Sequence, residues 1–189
     1  MKRLLAAAGA GFLFLIHANA MSVSAEDRPF SNGLNDGGVA VGQILSPAFA
    51  ESMGLGRAVN EEKVYVLNRD KTEVAVLDFC CGGAGEVQRV EIFQAREIGK
   101  SNRHKLRDSM VTSFVTNAGV HLGMGVTEFL KSFGSPDEEV RHAGGKKLVY
   151  RLVEGKSQFL ARHNMPLYQE EYIFRKGRLT GIRFGFEYP

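Results

Sequence analysis

The 189-residue chain holds only two cysteines, carries a net charge of just +3, and has no apolar run long enough to span a bilayer. Each shortage excludes a class of protein. The apolar run from Leu4 to Ile16 falls well short of the ~20 residues that a membrane span needs. A nucleic-acid-binding face needs a surplus of Lys and Arg over its whole extent, and a chain this close to neutral does not supply one. HExxH, CxxC and GxSxG are missing, and His104, His121, His142 and His163 are scattered singly. Neither a zinc site, a redox dithiol nor an activated serine is therefore indicated. The acidic groups Glu61-Glu62, Asp137-Glu138-Glu139 and Glu170-Glu171 read as loop or strand-edge positions, where sequence neighbours do not converge on a substrate. The expectation is a protein that is not an enzyme and uses no metal or cofactor.

What is present starts with an address. Lys2 and Arg3, the apolar run behind them, and small residues at Ala18-Asn19-Ala20 and Val23-Ser24-Ala25 read as a secretory signal over residues 1–25. Cleavage after residue 20 removes Lys2 and Arg3 and no acid, so the net charge falls to +1. The expected location is periplasmic or secreted, with no transmembrane segment after cleavage. At 44% apolar residues, the remainder is expected to fold. Its two cysteines are neighbours, Cys80 and Cys81. Adjacent Cα atoms lie ~3.8 Å apart, below the ~4.4–6.8 Å usual for disulfides. The pair is either a strained vicinal disulfide or two unpaired thiols on opposite faces of a strand end.

One phrase occurs twice, GVAVG at residues 38–42 and GVHLG at 119–123. Each copy precedes a short helical pattern, a glycine stop and alternating strands, as a duplicated module requires. Residues 26–37 read as a loose polar arm. From Gln43 the pattern becomes helical, with Ile44, Phe49 and Met53 on one stripe, Ser46 as a cap before Pro47, and Gly54 and Gly56 as its end. Val64/Val66, Val74/Val76 and Val87 to Phe93 read as three strands. Arg96 to Arg107, with Lys100, Arg103, His104 and Lys105 between, reads first as a solvated linker, the alternative being a basic contact surface for an acidic partner or lipid headgroups. Val126, Phe129, Leu130 and Phe133 mark a second helix at i, i+3, i+4 and i+7. The strand after Lys176-Gly177 is expected to put Thr180, Ile182, Phe184, Phe186 and Tyr188 on one face and Gly181, Arg183, Gly185 and Glu187 on the other. The expected architecture is α+β: two tandem modules, residues 26–95 and 112–189 around a linker at 96–111, each a short helical pair on an antiparallel sheet.

Phe114 to Pro136, with Gly119, Gly123, Met124, Glu128, Phe133-Gly134 and Pro136, followed by Tyr150 and a hairpin with Phe174, Gly177, Leu179 and Ile182, resembles the β-lactamase-inhibitor-protein-like superfamily. That group includes the small lipoprotein accessory of outer-membrane β-barrel assembly. The likeness covers residues 112–187 and, more weakly, 38–93. It implies helices on one face of a sheet whose other face binds a protein.

The functional expectation is an exported protein-binding module, an inhibitor or immunity factor, that covers another envelope or secreted protein with its sheet face. The alternative is a structural envelope component supporting outer-membrane or cell-wall organisation. Arg151, Arg175, Arg183 and Glu187 are the candidate partner contacts, because charges beside glycines on a regular strand leave a polar face open to approach.

Overall fold

The computed structural model describes residues 28–35, 38–45, 47–55, 62–79 and 85–187. The signal-like leader, the cap residue Ser46, Cys80-Cys81 and Tyr188 lie outside the described residues. In chain order the elements are β1 (Gly33–Leu34), β2 (Val39–Ala40), α1 (Pro47–Ser52), β3 (Lys63–Leu67), β4 (Glu73–Phe79) and β5 (Val87–Gln94). Two 3-10 turns, Ala95–Glu97 and Lys100–Lys105, lead to β6 (Leu106–Asp108). Then come α2 (Val126–Phe133), β7 (Glu138–His142), β8 (Gly145–Val153), α3 (Gln158–His163), β9 (Leu167–Arg175) and β10 (Arg178–Glu187).

Eight strands form one mixed sheet in the order β6-β3-β4-β5-β10-β9-β8-β7, and β1 and β2 form a separate two-stranded sheet. All pairings in the large sheet are antiparallel except β3 with β6. This overturns the expected α+β pair of helix-on-sheet modules: the fold is mostly β. The meanders β3-β4-β5 and β7-β8-β9-β10 join where β5 pairs with β10, from Gly181 opposite Phe93 to Gly185 opposite Arg89. The three α-helices among the described residues are six, eight and six residues long, and only α1 belongs to the first meander. Edge pairing between the meanders is a backbone event, and hydrophobic periodicity does not encode it.

The two copies of the repeated phrase make matching backbone hydrogen bonds. Gly38 N–H donates to the Asn35 carbonyl at 3.2 Å, as Gly119 N–H does to Thr116 at 2.8 Å. Gly42 N–H donates to Val87 at 2.8 Å and Val87 N–H to Gln43 at 3.0 Å. In the second copy Gly123 donates to Leu179 at 2.8 Å and Leu179 to Met124 at 2.9 Å. Each phrase is thus bonded to the start of the last strand of its own meander. Gly42 and Gly123 hold φ of +77° and +85° there, a conformation that glycine adopts without steric cost.

The main core covers one face of the sheet. Val64, Val66, Ala75, Leu77, Val90 and Ile92 continue into Ile182, Phe184, Phe186, Tyr168, Tyr172, Tyr150 and Leu148 in one buried cluster. Phe129 and Phe133 of α2 stack at 4.5 Å and meet Tyr150 and Tyr172. Burial on this scale contributes about 1.5–3 kcal/mol per large side chain. On the opposite face a smaller cluster, Tyr65, Val74, Val76 and Ile98, is packed by Leu67, Phe93, Ala95 and Leu106. The charged stretch read as a linker therefore lays Ile98 and Leu106, with Ala95 just before it, on the back of β3 and β4.

Residues 28–35, expected to be loose, form a strap seated on the second meander. Phe30 meets Phe159 at 5.2 Å and Tyr168 at 6.0 Å. Asn117 Oδ1 accepts from the N–H groups of Asn32 and Gly33, and its Nδ2 donates to Asn32 Oδ1 at 2.7 Å. An arm rich in turn formers is held here by side-chain acceptors that lie about 85 residues away in sequence, a distance at which no local pattern gives warning.

Candidate functional site

With β3 and β4 backed by residues 95–106, the outer face of β5, β10, β9, β8 and β7 carries a polar array built by strand register. One row runs Glu91, Arg183, Glu171, Val149 and Glu138 across these five strands. The next runs Arg89, Gly185, Gln169 and Arg151. Alternation places these side chains on the face opposite the core.

All four residues singled out in the sequence occur in ion pairs of this array or at its margin. Arg183 Nε lies 3.5 Å from Glu91 Oε1, and its Nη1 lies 3.9 Å from Glu171 Oε2. Both distances are long for hydrogen bonds, and the buried Nε has no hydrogen-bond partner. Glu187 receives Arg89 at 2.8 Å. Arg151 reaches Glu138 at 2.6 Å and Gln169 at 3.0 Å. Arg175 pairs with Glu97 at 3.1 Å, at the margin where the 3-10 turns begin. Glu171 also accepts from Lys147 at 2.8 Å. Acids Glu91, Glu138, Glu171 and Glu187 thus face bases Arg89, Lys147, Arg151 and Arg183 in equal number. Gly185 has a structural reason to be glycine: a Cβ there would stand 2.5 Å from the Gln88 carbonyl oxygen and 2.7 Å from Arg89 Cα.

A second polar group lies beneath the strap, on the core face. Glu170 is 2% exposed and accepts from Ser31 N–H and from Tyr172 Oη at 3.1 Å. Tyr168 Oη donates to the Ser31 carbonyl, and Ser31 Oγ contacts Thr116 Oγ1 at 3.0 Å and Tyr172 Oη at 2.9 Å. Burial pushes the Glu170 carboxyl up to about 8, against the opposing pull of the Ser31 and Tyr172 hydrogen bonds and of Arg28. Burial, reinforced by Glu170, also holds the Tyr168 and Tyr172 hydroxyls well above their ordinary range. Arg28 closes the group: its guanidinium lies 4.9 Å from the Tyr150 ring centre and donates to Asp137 at 2.8 Å and to the Arg151 carbonyl at 2.8 Å. Burial raises Asp137, but Arg28 and the Arg151 N–H outweigh it, and that carboxyl sits below its ordinary value.

Sequence reasoning missed this group. Glu170-Glu171 is not at a strand edge but in the middle of β9, its two carboxylates on opposite faces. The signal was available, since Glu170 falls in phase with Tyr168, Tyr172 and Phe174. His121 Nδ1 lies 2.9 Å from the Leu122 carbonyl, and His163 packs on Phe159 and Phe186. Among the described residues no set of three or more His, Cys, Asp or Glu side chains is arranged to hold a metal. Among them, too, no helix is long and apolar enough to cross a membrane. A cleft of about 430 Å³ opens between the strap and α3, lined by Phe30, Asn32, Leu152, Ser157, Phe159 and Arg162. No protein-family model, no curated protein and no solved structure matches this chain.

Proposed function

We propose that this chain is an exported protein-binding module, an inhibitor or immunity factor of the periplasm or cell exterior, that engages another envelope or secreted protein through the outer face of β5, β10, β9 and β8. The observation that carries the reading is unequal cover. Residues 95–106 close the back of β3 and β4, while Arg183 and its neighbours on the same side remain part exposed. Equal numbers of acids and bases suit a protein surface of mixed charge, whereas a polyanion would meet as much repulsion as attraction. Arg183 is the centre of the array, flanked by two carboxylates at ion-pair distance, and its guanidinium can turn to a partner's acceptor without abandoning either.

The test is capture from envelope extract by the wild-type chain and by Arg183→Glu. The variant places three acids side by side, so capture of the specific partner falls at least about tenfold. Thermal unfolding shifts only modestly, because losing part-exposed ion pairs costs about 0–1 kcal/mol and each new like-charge pair adds roughly 0.2–1 kcal/mol. A photo-crosslinking side chain at position 169 then joins the partner, while one at Arg162 on the helix side does not. Unchanged capture by Arg183→Glu removes this face from consideration.

A further inference from the structure

Among the described residues the sheet ends at β7, and the order of residues along that edge is self-complementary. The strand reads Glu138-Glu139-Val140-Arg141-His142, exposed at every position but Val140, which is half-buried. Around Val140 the order is antisymmetric, Glu139 before it and Arg141 after it.

Backbone direction fits the same centre. His142 and Gly145 pair across a two-residue loop, and in such a hairpin the pair flanking the loop exchanges hydrogen bonds. By alternation, His142, Val140 and Glu138 point their backbone groups at β8, and Glu139 and Arg141 point theirs away from it. The far end agrees. Asp137 N–H donates to the Val149 carbonyl at 2.9 Å, although Val149 stands opposite Glu138. By the alternation above, Glu138 N–H is directed at the same carbonyl, and two donors on one carbonyl make a bulge at a hydrogen-bonded pair.

We infer that β7 is a self-association edge, at which a second copy of this chain adds its own β7 antiparallel about a two-fold axis through Val140. In that register Glu139 stands opposite Arg141 of the second copy and exchanges two backbone hydrogen bonds with it, and the axis repeats the pair. Glu138 faces His142, and Val140 meets Val140 at a non-hydrogen-bonded pair, where side chains approach most closely. A slip that centres the axis on Glu139 sets Glu139 against itself, and one centred on Arg141 sets Arg141 against itself. A parallel arrangement stacks like on like throughout. Charged edge strands ordinarily discourage pairing; this order of charges discourages every register but one. Arg141, 84% exposed and now paired with Glu139 of its own strand at 2.8 Å, has only to exchange one glutamate for its equivalent across the axis. A five-residue edge buries little area, so the dimer is weak and forms at high local concentration.

Sedimentation equilibrium on the chain as the cell processes it, from about 10 μM to about 1 mM, reads the association directly. The wild type shifts from monomer to dimer over that range. Arg141→Glu weakens dimerisation at least about tenfold, since both symmetric pairs turn repulsive, and Glu139→Arg with Arg141→Glu restores it. A wild type that stays monomeric throughout, or an Arg141→Glu variant that associates as the wild type does, overturns the inference. A second readout does not depend on the charge variants. With Cys80 and Cys81 replaced by serine, Val140→Cys oxidises to a disulfide-linked dimer and His142→Cys does not, because only position 140 lies on the axis. Equal crosslinking at the two positions refutes the register.

Discussion

Glu170 stands where the alternation of β9 calls for an apolar side chain, between Tyr168 and Tyr172 on the core face. An ionised carboxylate is costly in such a place, and the carboxyl is held up at about 8 instead of the ordinary 4.5. The folded state therefore keeps a proton that the unfolded chain releases above about 4.5. Stability from this group is complete below the unfolded value and drains away as pH rises from about 4.5 to about 8. The expected loss across that window is roughly 2–5 kcal/mol. Glu170→Gln keeps the acceptor for Ser31 and Tyr172 and has no proton to lose. Urea midpoints measured at intervals from pH 5 to 9 should slope downward for the wild type and flatten for Glu170→Gln, with the variant the more stable above pH 8. Parallel slopes would assign the pH dependence to other groups.

At the scale of the element, the decisive seam is β5 on β10, where two meanders become one sheet. Gly185 sits on it with no room for a Cβ against the backbone of Gln88 and Arg89, whereas a Cβ at Gly181 would touch only the Ile173 side chain at 3.3 Å. Gly185→Ala must push β5 away and should cost roughly 1–3 kcal/mol, with Gly181→Ala costing much less. Matched denaturant titrations check the difference. The pattern of β10 itself was legible: Ile182, Phe184 and Phe186 are buried on one face and Arg183 and Glu187 lie on the other. Thr180 is buried as well, its hydroxyl donating to the Ile173 carbonyl at 3.2 Å, and the register shifts between Leu179 and Gly181, with Leu179 also in the core. Helix α2 was legible from its stripe. β7 was not, since Glu-Glu-Val-Arg-His has no apolar face to alternate with a polar one. Helix α3 announced itself only through its ends, Ser157 accepting from the Leu160 N–H and Asn164 in the left-handed conformation. Ile44, read as part of the α1 stripe, precedes that helix and is 68% exposed.

For the whole molecule, the two halves read from the sequence are interleaved by three separate contacts. The strap of the first half covers Glu170 and Phe159 of the second, β5 pairs with β10, and one buried cluster runs beneath both meanders. Each contact is long in sequence and none can form within residues 112–189 alone. That segment would lack Ser31 to donate to Glu170, Phe30 to cover Phe159 and Tyr168, and a partner for the edge of β10. An unpaired edge and an uncovered aromatic face favour aggregation over a native fold. The segment expressed alone is therefore expected to show no near-UV circular dichroism and no cooperative melt. The full chain, by contrast, should unfold in one transition whose calorimetric and van't Hoff enthalpies agree. Two transitions, or a folded 112–189 segment, would show that the strap and the seam join modules already stable by themselves.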